Sequence, residues 1–309
     1  MKSRVSLNDP ALIVIFLLIV DSLHFIFARL LLPHLPPITS ALYVIGTGLV
    51  EVALFSLVRG RLNFQLFRRH AWFFISIGFL VASSTCLSYG SVAFIDPGTA
   101  SLLAETSVLF GLAFGLVWLR ERLAVLESTG ALVAVAGVFI ISFQPGDYLR
   151  LGSVMVLVSA FAYALHAALV KRYSSSMDLA EFFLFRLACT TGFLFLFAAG
   201  QGLLVWPDRV TWPLIALAGS VDVVLSRIFY YLALRRLQLS LHSLVLTLSP
   251  VVTIMWSLLL FGLWPASREL IGGLAVLTGI FIISTSRAGL LRSKRLATST
   301  QLDKTEKSV

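Results

Sequence analysis

Three acidic residues of this chain, Asp21, Glu105 and Asp222, lie deep inside long apolar runs. At about 1.5 Å of rise per helical residue, Asp21 and Asp222 each sit ~15 Å into their runs, near the middle of a ~30 Å hydrocarbon layer, and Glu105 is slightly shallower. A charge at that depth costs roughly 2.5 to 3.5 kcal/mol, so such groups face a bundle interior or a wet cavity and mark a path for a ligand or a proton. Helical spacing widens the set. Ser226 and Tyr230 share a stripe with Asp222, Ser249 and Trp256 share one with His242 and Thr253, and Tyr163 and His166 share one with Ser159. Arg227 offers a guanidinium to a carboxylate, while Asp222 or Asp21 offers a partner to an ammonium group, with tyrosines to cover an apolar portion. The candidates for substrate binding or proton coupling are therefore Asp21, His24, Glu105, Tyr163, His166, Asp222, Ser226, Arg227, Tyr230, Ser249 and Trp256. Glu51 and Arg186 both fall about 10 Å from the same boundary and are expected to form a gating or structural ion pair. Pro250 lacks a backbone donor at mid-membrane and is expected to kink its helix.

Covalent chemistry is poorly served. The chain has no HExxH, no CxxC and no Gly-x-Ser-x-Gly, the arrangements that would hold a catalytic metal or activate a nucleophile. Its two cysteines, Cys86 and Cys189, lie in apolar runs and read as small packing residues rather than a disulfide or metal site. No metal, cofactor or catalytic residue is expected, and the protein reads as a non-enzyme. An integral membrane enzyme or sensor acting on a lipid or small molecule is the alternative.

Composition names the solvent. With 58% hydrophobic and 13% charged residues and a mean hydropathy of +0.94, 309 residues cannot clothe a water-soluble globule. Ten apolar runs are long enough to span a bilayer: 11–32, 38–58, 71–94, 97–119 and 127–143, then 151–170, 179–199, 212–234, 239–263 and 267–286. The first is kept as a span rather than a signal peptide, because it carries Asp21, His24 and Arg29 and no small-residue cleavage site follows it. With the N-terminus inside, 18 of the 24 Lys and Arg fall on the cytoplasmic side and only Arg150, Arg209 and Arg268 outside. That asymmetry places both termini in the cytoplasm of a cell-membrane protein. It also accounts for the net charge of +9 without a nucleic-acid partner.

The spans are copied. Gly130 to Ser142, GALVAVAGVFIIS, returns as Gly272 to Ser284, GGLAVLTGIFIIS, with seven of thirteen positions identical and a shift of 142. The same shift pairs His24 with His166, Tyr89 with Tyr231 and Glu127 with Glu269. Residues 1–146 and 147–286 form the two copies, joined by the turn-rich QPGDYLR, and 287–309 form a basic, then polar, tail expected to be disordered. Five spans per copy is odd, so the second copy enters from the opposite side. All-α and built of ten transmembrane helices as two inverted five-helix repeats, such a chain can rock its halves about a site between them. The copies differ where the chemistry is: Asp21 corresponds to Tyr163, and Asp222 to Leu80.

The chain resembles the drug/metabolite transporter superfamily of the EamA type. The resemblance rests on the two five-helix repeats, each ending in a Gly-rich helix, on Leu119-Arg120-Glu121-Arg122-Leu123 after the fourth span, and on Leu248-Ser249-Pro250-Val251 in the ninth. It departs from the family pattern where Arg120 replaces Gly, and each motif is missing from the other copy. The resemblance implies that the first, third, fourth, sixth, eighth and ninth spans line a central cavity, and that transport leans toward export. The expected partners are membrane lipids and a small polar or amphipathic organic substrate, an amino acid or a relative. Proton coupling and oligomeric state stay open at this point.

Overall fold

Apolar runs without charged faces can satisfy their backbone in hydrocarbon only as helices, and helices are what the computed structural model contains. It describes residues 10–59, 64–118, 124–142, 150–173, 177–230 and 246–306. In order of membrane passage, α1 is Pro10–Asp21 followed by His24–Leu31, α2 is Pro37–Val58, α3 is Ala71–Ser91, α4 is Pro97–Ala104 followed by Ser107–Val117, and α5 is Val125–Ser142. The second copy gives α6, Leu151–Tyr173, α7, Leu179–Gly200, α8, from Thr211 to Tyr230, α9, Ser249–Phe261, and α10, Ser267–Glu306. A short helix, Phe64–Arg69, joins α2 to α3. Nine of the described helices are long and apolar enough to cross a membrane, and α9 is a shorter apolar helix. The start of the ninth span expected from the sequence lies outside the described residues, as do Tyr231 and His242.

The helix starts are written locally. Pro37 and Pro97 stand in the first turn, where a missing N–H costs nothing. Asp96 and Asp178 cap α4 and α7: Thr99 N donates to Asp96 at 2.9 Å and Ala180 N to Asp178 at 2.9 Å. Before α8, Thr211 donates to Asp208 from its side chain and backbone and holds that exposed carboxyl below its ordinary range. Glu127 and Glu269, repeat partners and both buried, take the backbone N–H of Ala124 at 3.0 Å and of Ala266 at 2.7 Å. Glu269 is also ion-paired with Arg150. At the far end α10 continues through Glu306, well past Ser286, where the sequence pointed to a disordered tail. Its last part is rich in Leu, Ala, Lys and Arg, which favour helix.

The inverted relation of the copies is visible in α5 and α10. These equivalent helices pack antiparallel, Gly130 against Gly279 and Gly137 against Gly272, so a two-fold axis relating the repeats passes between them. A Cβ added at Gly137 would stand 2.5 Å from the Gly272 carbonyl, and one at Gly279 would stand 2.4 Å from that of Gly130. Only glycine permits this approach. The outward faces of the same helices carry Leu132, Phe139 and Leu274, each more than 60% exposed and directed at lipid. Elsewhere α3 and α6 are joined by reciprocal bonds at mid-helix: Ser84 donates to the Ser159 carbonyl at 3.0 Å and Ser159 to the Ser84 carbonyl at 2.8 Å.

Because Gly137 meets backbone atoms, Gly137→Ala must push α5 from α10. It should lower stability by about 1–3 kcal/mol, read as a fall in the melting temperature of detergent-purified protein. Gly111→Ala, with nothing within 4 Å of the added carbon, should leave it unchanged or slightly raised.

Candidate functional site

Three described spans depart from regular α-helical form along their length, α9 begins directly after a turn, and polar residues cluster at these places. In α1 the helix is interrupted at Ser22–Leu23, between Asp21 and His24, with Ser22 Oγ donating to the Ile19 carbonyl at 2.8 Å. In α4 the interruption is Glu105–Thr106, where Thr106 Oγ1 donates to the Leu103 carbonyl at 2.7 Å. Ahead of α9 the turn Thr247–Leu248 directly precedes Ser249 and Pro250. The α8 span widens into a π-helix, Gly219–Leu225, with Asp222 at its centre. Hydroxyls that bond back to the carbonyl of the preceding turn compete with the helix ladder, and π-turns gather at functional sites.

The break of α4 and the turn ahead of α9 are repeat partners, since 105 and 106 shifted by 142 give 247 and 248. Pro250 occupies the first turn of its helical segment, and an interruption forms in α4 with Val108 at the matching position. A break at this position therefore does not require proline. Part of the backbone released in α1 is recaptured by α9: Thr253 Oγ1 donates to the Ser22 carbonyl at 2.9 Å, as hydrocarbon requires.

Spans α1, α4, α8 and α9 surround a cavity of about 250 Å³ between the two copies. Asp21, His24, Glu105, Tyr163, Arg186, Asp222, Ser226, Arg227 and Ser249 all line it. Its wall draws on the six spans named from the resemblance and also on Ile45 of α2 and Phe183, Arg186 and Leu187 of α7. His24 is the hub. Its Nδ1 donates to Asp222 Oδ2 at 2.9 Å, tying α1 of one copy to α8 of the other, and its Nε2 lies 3.1 Å from Ser88 Oγ. Ser88 has one proton and places it on the Thr85 carbonyl at 3.0 Å. Tyr89 packs edge-on against the His24 ring at 5.4 Å. Across the cavity, Arg227 donates to Tyr163 Oη at 3.4 Å and lies over the Tyr230 ring. Asp21 lies beside Ser249 and within electrostatic range of Arg227.

Several expectations change. Asp21 and His24, on either side of the break in α1, have different hydrogen-bond partners, Ser249 for Asp21 and Asp222 and Ser88 for His24. Glu51 does not pair with Arg186: among the described residues the salt bridges are His24–Asp222 and Arg150–Glu269. Ser220 donates to Glu51 at 2.5 Å, and Arg186 lines the cavity instead. Residue counting sets depth but not the direction a side chain faces, and here the two face different neighbours. His166 is buried behind Tyr163, ring centroids 5.4 Å apart, off the cavity wall. Tyr230 packs with Ile13 and Leu17, and Trp256 is likewise absent from the wall. Ser101, Ser107 and Thr85 were missed and do line it. Ser107 was findable, being the repeat partner of Ser249, and Ser101 lies one turn before Glu105.

Taken together, the fold and this site define a multi-pass membrane protein built as an inverted repeat around a polar chamber. The profile of the EamA-like transporter family matches residues 10–143 and again 150–285. The chain therefore belongs to the EamA-like transporter family, within the drug/metabolite transporter superfamily. It is 25% identical over 193 residues to an uncharacterized transporter, YdfC, of Bacillus subtilis (strain 168), covering 60% of this chain and 62% of that one. It is 33% identical over 94 residues to an uncharacterized transporter in the sor 3' region of Acidianus ambivalens, covering 30% and 36%. The chain thus spans less than two thirds of either curated relative. A protein of known crystal structure shares the fold, with a TM-score of 0.62 at 19% identity, over 89% of this chain and 96% of that one.

Asp222→Asn keeps an acceptor for His24 but removes the charge from the link between the copies. A charge-assisted bond outweighs a neutral one by about 1 kcal/mol. The variant should therefore melt slightly lower than wild type yet remain folded, and a loss of the folded state on a thermal melt would contradict this geometry.

Proposed function

We propose that the protein is a carrier that moves a small polar or amphipathic organic metabolite, an amino acid or a close relative, across the cell membrane by alternating access. The observation that carries this reading is the chamber itself: it lies between inverted halves, at the irregular segments of four spans, and holds carboxylates, guanidiniums and an imidazole together. Charges of both signs suit a zwitterion, with Arg227 toward its carboxylate and an acidic residue toward its ammonium. At ~30 Å³ per water, the cavity has room for roughly eight waters, which matches a solute of amino-acid size and falls below the usual range for drug-sized ligands. Both termini face the cytoplasm in this reading, and export is the working direction.

Purified protein in liposomes preloaded with unlabelled amino acids should take up labelled amino acid by saturable counterflow and return it chemically unchanged. Arg227→Met should reduce that uptake by at least about tenfold, the scale of a lost charge-assisted bond. Linear, non-saturable uptake would indicate a pore, and a chemically altered label would favour an enzyme. Substrate-dependent proton movement under an imposed pH gradient separates proton-coupled transport from facilitated exchange.

A further inference from the structure

The charges of the chamber are not mixed evenly. Arg227 and Arg186 both act on Tyr163, and that side of the wall is cationic. Asp222 is engaged by His24. Asp21 has Ser249 and Arg227 for company. Glu105 differs from all of these. It lies at the interruption of α4, its carboxyl group makes no hydrogen bond among the described residues, and the charge that acts on it is Asp21's, of its own sign. Hydroxyls share the cavity wall with it: Ser101 and Ser107 from its own span, and Ser249 from the start of α9. Two carboxyl groups from different spans, sharing one cavity wall with hydroxyl oxygens, form a site with unfilled acceptor capacity. A low-dielectric wall strengthens a charge-assisted hydrogen bond made there.

We propose that Glu105, with Asp21 beside it and Ser101, Ser107 and Ser249 around it, is the subsite for a primary ammonium group of the substrate. An ammonium carries one positive charge and three donors, and two carboxylates with hydroxyl oxygens can receive all three. A quaternary ammonium has no donor to give and gains only the charge. The substrate class is thereby narrowed within the transport reading, on which this assignment rests: a primary amine whose ammonium lies toward the breaks of α1 and α4 and the turn ahead of α9, and whose carboxylate, when it has one, lies toward Tyr163 and Arg227. Glu105 is then a specificity residue that separates amines from their acids.

The test uses full-length protein in nanodiscs and a matched set of probes: leucine, isopentylamine, which lacks the carboxylate, and 4-methylpentanoate, which lacks the ammonium. Binding is followed by equilibrium titration and thermal stabilisation. Isopentylamine should bind wild type and compete with leucine. Glu105→Gln should weaken both by roughly tenfold to a hundredfold while changing 4-methylpentanoate by no more than about twofold. Glu105→Asp, which keeps the charge, should restore part of the amine affinity, and the melting temperature without ligand certifies that each variant is folded. Equal amine affinity in wild type and Glu105→Gln, or no amine binding to folded wild type, would overturn the assignment. So would protection by sodium chloride over potassium chloride equal to that given by isopentylamine, which would mark an inorganic cation site. Amine binding that depends on Glu105 without any counterflow would leave the subsite standing and remove the transport reading. Counterflow of leucine undiminished in Glu105→Gln would do the reverse.

Discussion

Hydrocarbon offers no hydrogen bonds, so a spanning segment that leaves the helix must hand its freed backbone groups to another part of the protein or to a wet space. The architecture around the chamber follows from that constraint. The breaks of α1 and α4, the turn ahead of α9 and the π-turn of α8 all border one cavity, because an interruption on the lipid face would strand polar backbone. Thr253 reaching the Ser22 carbonyl shows the account being closed between two spans. Once the irregular segments face inward, ionisable side chains near them have somewhere tolerable to be, and the chamber collects Asp21, Glu105, Asp222 and Arg227 together.

Two kinds of repeat partner serve two purposes. Positions that kept their identity, such as Gly137 with Gly279 or Glu127 with Glu269, fasten helices or cap them. Positions that diverged supply the ligand-facing groups. Asp222 has Leu80 as its counterpart, and so His24 finds an acid on α8 while its own counterpart, His166, is buried with no hydrogen-bond partner for either ring nitrogen among the described residues. The break of α4 and the turn ahead of α9 fall between these cases. Their position is shared, whereas one places Glu105 there and the other Thr247.

The spans, their inverted order and most of the chamber wall were readable without coordinates, for a physical reason. An apolar run and a charge inside it are one-dimensional facts, and the cost of placing that charge in lipid leaves one direction to face. Azimuth is different, because it depends on the neighbour each helix meets. Arg186 and Glu51 stand at matching depths but turn to the chamber and to Ser220. Trp256 lies on the Ser249 stripe of an ideal helix yet misses the wall, and Tyr230, on the stripe of Asp222, packs beneath Arg227 once the π-turn has shifted the phase of α8. Interruptions were only half legible. Pro250 advertised the turn ahead of α9, but nothing in Glu105-Thr106 marks the matching break except its place in the copy.

The glycine seam between α5 and α10 bears on how such a chain arises. Each half contributes the same surface to it, Gly130 meeting Gly279 just as Gly272 meets Gly137, so the contact is self-complementary about the two-fold axis. A single five-helix chain carrying this seam, inserted into the bilayer in both orientations, would already own the interface needed to pair with an upside-down copy of itself. The seam is therefore a surface that both halves share, whereas the chamber is built from positions at which they differ.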